Sequence, residues 1–407
     1  MSLEVRLNQK LEEIHSILEE KYLENKQIGV LSGISGISLF QFYYSKFKDN
    51  DEYADKAAET ITKALESINE GYVYPTFCDG IAGAAWVVEI LKEEEFIELD
   101  DDFLSSGIDE YLVRMMKSDI EEGNFDFLHG ALGYGYYFYK RYLKTTSNDL
   151  KIGYKKHLDY LINCLKETAK SHSNGIWWES VLKREEGLKG CNLSLSHGMS
   201  STINFLARLA EHDDFKEDII GLIRQASYYL TSCKNTDSSL TASFPNWVLN
   251  EQPENGGSRL AWCYGDLGIG MSLLRAAEVL EDKELYQNAL EVLLRSTKRT
   301  DIKEAGVVDA GLCHGSYGIL QIYNHLFKKT KHKDFKDAAD FWIKEAISMD
   351  FHKDGYAGYM LWRGGGEDKV TWKPEINLLE GIAGIGLSIL SYLDPFETKW
   401  DECLMIG

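Results

Sequence analysis

Proline is scarce, five in 407 residues, so little interrupts long helices. No run of roughly 18 apolar residues occurs, so nothing reads as a membrane-spanning segment. No basic, apolar signal segment opens the chain. Its start, MSLEVRLNQKLEEIHSILEE, is an acidic amphipathic stretch. Convincing period-two strands are few, which argues against a propeller. Positive charge is in deficit: 44 Lys and Arg stand against 65 Asp and Glu, a formal net charge of -21. Such a surface disfavours a phosphate backbone, so no nucleic-acid partner is expected. It favours solubility and cationic partners. The seven cysteines are an odd number, and without a signal segment the expected compartment is the cytoplasm. There, thiols more often serve metals or catalysis than disulfides.

What is present is a repeat. A glycine motif recurs seven times, with first glycines Gly33, Gly80, Gly130, Gly198, Gly265, Gly315 and Gly381. The spacings are 47, 50, 68, 67, 50 and 66 residues, a period that marks a solenoid, propeller or closed array. Each motif runs into a stretch that is apolar on nearly every side, such as GIAGIGLSILSYL, and a helix of that kind is buried. The segments between motifs are amphipathic. Leu7, Leu11, Ile14 and Leu18 share one helical face, and residues 283–295 show a similar period. Two helices per repeat predict an all-α fold, an α/α toroid of seven inner and seven outer helices, in a single domain over 1–407. Glycine packing alone accounts for most of the repeated glycines. The fourth motif carries Ser201 in place of a second glycine, and the long spacings beside it leave room for inserted loops. The GGG at 364–366 reads as a mobile loop.

The position just before each first glycine holds Ser32, Asp79, His129, His197, Tyr264, His314 and Glu380. All are polar or ionisable, although each precedes a buried helix. Burying such groups unpaired costs several kcal/mol, so superposed repeats would gather them on one rim. Helix capping explains Ser, Asp and Glu, but not three histidines. One residue further back stand Cys78, Cys263 and Cys313. Cys263 and Cys313 hold equivalent places in consecutive repeats, and His314 follows Cys313. Two thiolates and one imidazole suit zinc, and three protein ligands leave a position open for substrate. Cys78 is a competing candidate beside Asp79.

These motifs together resemble the lanthionine synthetase C (LanC-like) cyclases. The elements that carry the resemblance are SRLAWCYGDLGIG at 258–270, GLCHGSYGI at 311–319, NLSLSHGM at 192–199 and the closing LLEGIAGIGL. The resemblance implies Zn²⁺ held by Cys263, Cys313 and His314. It implies cyclisation of a dehydrated precursor peptide, in which a cysteine thiol adds to dehydroalanine or dehydrobutyrine and forms a (methyl)lanthionine thioether. It assigns His197 as acid/base, Asp126 as catalytic aspartate and Arg259 as the arginine of the site. A lanthipeptide dehydratase and an exporter are the implied partners. His129, beside Asp126, reads as a bystander. Three other readings stand beside this one. They are addition of a small thiol to dehydroamino acids in proteins, a non-catalytic peptide scaffold, and an unrelated glycosidase using Asp79 and Glu380 as a carboxylate pair.

Overall fold

The computed structural model describes residues 1–104, 107–183, 186–249, 255–365, 369–393 and 398–407. The chain forms two compact units. One joins Met1–Leu112 to Val308–Gly407, and the other is Val113–Val307.

Helices of two kinds alternate along the chain. The first kind follows the glycine motifs: α2 (Ile34–Lys48), α4 (Ile81–Glu93), α6 (Ala131–Lys144), α8 (Met199–Ala210), α10 (Asp266–Leu280), α12 (Ser316–Thr330) and α14 (Ile382–Leu393). These are buried on all sides; in α4 every residue from Ile81 to Leu91 is buried. The second kind comprises α1 (Leu3–Lys21), α3 (Asp51–Asn69), α5 (Ile108–Glu121), α7 (Asn148–Thr168), α9 (Asp213–Ser232), α11 (Lys283–Ser296) and α13 (Lys333–Ser348). These bury one stripe. In α3 it is Ala57, Thr60, Ile61 and Ala64, the spacing of a single helical face. In α1 it includes Leu7, Leu11, Ile14 and Leu18, as the periodicity predicts. Five of the buried helices pack on the amphipathic helix that follows: α2 on α3, α6 on α7, α8 on α9, α10 on α11 and α12 on α13. Within the first unit α12, α14, α2 and α4 pack in series; within the second, α6, α8 and α10 do.

The repeat register is written in backbone hydrogen bonds. In the second unit, the N–H groups of Leu195 and Ser196 donate to the Cys263 carbonyl. In the first, Leu31 and Ser32 donate to the Cys78 carbonyl, and Leu312 and Cys313 to that of Leu379. Equivalent residues of successive motifs are thereby locked side by side. The helix N-caps are the first glycines themselves, and they make no side-chain cap. The polar residues before them are therefore not capping groups. Gly265 needs to be glycine: its φ is +88°, and a Cβ there would stand 2.5 Å from the Arg259 carbonyl oxygen. Ser201, the departure in the fourth motif, is buried and donates to the Gly198 carbonyl at 2.7 Å.

Short strands occupy the long spacings. β1 (Lys170–His172) pairs with β2 (Gly175–Trp177), and β6 (Leu361–Gly365) with β7 (Lys369–Lys373). β3 (Ser180–Lys183), β4 (Leu188–Asn192) and β5 (Trp247–Val248) form a sheet in that order. The mobile loop expected at 364–366 is corrected in part. Gly364 and Gly365 belong to β6, opposite Val370 and Lys369, because a ladder supplies the glycine backbone with partners. Gly366 lies outside the described residues.

Candidate functional site

The second unit holds a cavity of about 670 Å³ lined by Asp126, His129, His197 and Tyr264, with Asn192, Met199, Thr202 and the segment Trp178–Leu182. Three of the seven polar positions before the glycines thus meet in one space. His197 Nδ1 lies 2.7 Å from Asp126 Oδ2. The other oxygen of Asp126 accepts the backbone N–H groups of Leu128 and His129, both at 2.8 Å. The carboxylate is therefore fixed before it meets the imidazole. Burial works against charge on His197, but the negative charge of Asp126, its hydrogen bond and the field of Cys263 outweigh it, and the pKa is raised. Burial likewise pushes the Asp126 carboxyl up, and the pull of His197 and His129 leaves it lowered. An Nδ1–H donated to Asp126 leaves Nε2 as the nitrogen for proton exchange.

His129 is exposed, its ring parallel to that of His197 at 6.1 Å. Tyr264, to which the sequence reading assigns no role, lies 6.4 Å from the His197 ring and accepts a hydrogen bond from Asn192 at 3.2 Å. Burial pushes its phenol up, so it stays a neutral hydroxyl. Its signal in the sequence is its place among the seven polar positions. Cys263 is buried beside it, 6% exposed. Arg259 is half-buried, its Cβ facing Gly306, and it is not among the residues lining this cavity.

In the first unit, Cys313 and His314 precede α12. His314 Nε2 is 3.3 Å from Asp309 Oδ2. Asp309 is 3% exposed and accepts backbone N–H groups from Gly311 at 3.1 Å and Trp362 at 2.9 Å. Were His314 to bind a metal, a buried carboxylate beside this nitrogen would orient the ring and leave the other nitrogen for the ion. The same unit contains a second cavity, of about 470 Å³, lined by Ser32, Asp79, Glu375, Glu380, Arg363 and Lys373 among others. Burial raises the Glu380 carboxyl, against the pull of Arg363 and His314.

No helix among the described residues is long and apolar enough to cross a membrane. Among solved structures, the chain is similar to a nisin cyclase at 18% identity and a TM-score of 0.75, over 98% of this chain and 97% of that one. That likeness shows the fold, the α/α-toroid class expected from the repeats. A cellobiose 2-epimerase from Bacillus thermoamylovorans matches at 12% identity and a TM-score of 0.45, over 89% and 87% of the two chains. The family model for lanthionine synthetase C-like proteins matches residues 26–405. The chain belongs to the lanthionine synthetase C-like family.

Proposed function

We propose that this protein is a zinc-dependent lanthipeptide cyclase. The observation that carries the reading is the His197–Asp126 pair, 2.7 Å apart in a cavity of about 670 Å³. A cyclase needs a proton carrier in a space able to admit a peptide. Cys263, Cys313 and His314 would hold the ion. Their donor set, two thiols and an imidazole whose Nε2 faces Asp309, is of the kind zinc prefers. A free thiol has a pKa of about 8.5, and bound zinc supplies the deprotonation of the substrate cysteine.

The chain's own residues do the rest. The substrate sulfur bonds to the β-carbon of dehydroalanine or dehydrobutyrine, and the C=C electron pair moves toward the neighbouring carbonyl as an enolate. His197 gives its proton to the α-carbon, which completes the addition, and is reprotonated from solvent, which takes up the proton lost by the thiol. Asp126 orients His197 and holds its proton until then. Arg259 offsets anionic charge near Cys263. The substrate is a dehydrated precursor peptide in the cytoplasm, with a dehydratase and an exporter as partners.

The test is direct. The purified protein should carry close to one equivalent of zinc by elemental analysis, and it should convert a dehydroalanine/cysteine peptide to a product that no longer reacts with thiol reagents. Zinc without cyclisation would point to the scaffold reading. Reaction with small thiols alone would point to the small-thiol reading.

A further inference from the structure

Five consecutive residues, Trp178 to Leu182, line the cavity that holds His197. Successive side chains of an extended segment point to opposite faces. An unbroken run of lining residues therefore means that the cavity lies along the edge of the segment, not over one face. β4 occupies one edge of β3, and the order β3-β4-β5 leaves β3 outermost. Among the described residues, the edge of β3 toward the cavity has no ladder partner.

The segment is held in place from behind. The Trp178 indole donates to the Leu165 carbonyl at 2.9 Å. Glu179 meets Lys170 and lies 3.5 Å from Lys189. A bulge between Val181 and Lys183 then ends the regular ladder. Exposed edges are usually blunted by bulges and lysines. Here Lys183 lies beyond the cavity-lining run and the bulge falls at its last residue, Leu182, so Trp178–Val181 is the stretch left open. Val181 is 51% exposed there.

We propose that the substrate peptide docks as an added strand on the free edge of β3, its main chain paired with that of residues 178–181, which carries it past His197. The proposal rests on the cyclase reading above. Main-chain pairing supplies affinity without reading side chains, so the same edge serves peptides bearing either dehydro residue.

The experiment uses the wild-type protein and a synthetic peptide with one dehydroalanine and one cysteine. It also uses an unreactive analogue with the cysteine replaced by alanine, and a series of that analogue with successive backbone amides replaced by esters. We expect the parent peptide to be cyclised and the analogue to slow hydrogen exchange in residues 178–181. The ester series should weaken binding about two- to tenfold at alternate positions only, as loss of single strand hydrogen bonds requires. Cyclisation without protection at 178–181, or an ester profile with no period of two, overturns the strand proposal and leaves the cyclase reading standing. Absence of cyclisation overturns both. Protection that appears without peptide and grows with protein concentration would assign the edge to a second copy of the chain and would also overturn the proposal.

Discussion

The two cavities are built from the same positions of the repeat but carry different chemistry. In the Val113–Val307 unit those positions supply His129, His197 and Tyr264. In the other unit they supply Ser32, Asp79 and Glu380, among lysine and arginine partners. The backbone register is common to both, with the residue two before the glycine accepting a pair of N–H groups in each. The scaffold thus fixes where a side chain points, and the residue type alone decides what it does there. A histidine backed by a fixed carboxylate can carry a proton near neutral pH. Carboxylates beside cations suit binding, although burial holds the Glu380 carboxyl above its usual range.

The largest expected effect lies in the histidine cavity. His197→Ala should lower the cyclisation rate about 10²- to 10⁴-fold, the usual worth of a positioned acid, while retaining zinc. Glu375→Gln, in the carboxylate cavity, should change it less than about twofold. Comparable losses in both variants would erase the contrast. The carboxylate cavity is also where a sugar-cleaving enzyme would have kept its acid pair, Asp79 and Glu380. Family membership removes that reading, and no glycoside hydrolysis is expected.

Next in size is the imidazole beside Asp309. Asp309→Asn should weaken zinc binding about 10- to 100-fold in a competitive chelator titration, the usual effect of losing the partner of a metal-bound histidine. Unchanged affinity would reduce Asp309 to a backbone anchor for Trp362.

A subtler change follows from the titration of the pair. His197 is raised, so it stays protonated to higher pH than a free imidazole. Its contribution to stability is complete below about pH 6.5 and is lost as pH rises through the folded value. Asp126 is lowered, so its contribution is complete above about pH 3.9 and is lost as pH falls through its folded value. The pair is strongest between those limits. Asp126→Asn removes the charge that raises His197, so the alkaline limb of the pH–rate profile should move to lower pH. An unmoved limb would show that another group sets it.

The smallest effect compares the units as scaffolds. Asp282 caps α11 by accepting from Leu285 N–H at 3.0 Å, and Asn50 caps α3 by accepting from Glu52 N–H at 3.0 Å. Alanine at either position should cost about 1 kcal/mol in urea denaturation. A much larger loss at one site would mean that its cap also carries tertiary structure.

Much of this was legible in the residues. The glycine period, the apolar runs behind each glycine and the stripe Leu7, Leu11, Ile14 and Leu18 depend on local geometry, so sequence alone settled the alternation of helices. The same register singled out His197, His129 and Tyr264 as neighbours in kind. The strands were not legible. β3 has four residues and an irregular register, too short and too interrupted to show a period of two. The repeat rule alone does not separate His197 from His129, since both follow it; the family resemblance favoured His197. The tertiary structure adds the pairing. It brought Asp126 to within 2.7 Å of His197 across 71 positions of chain, and a through-space contact of that kind leaves no local pattern for a sequence to show.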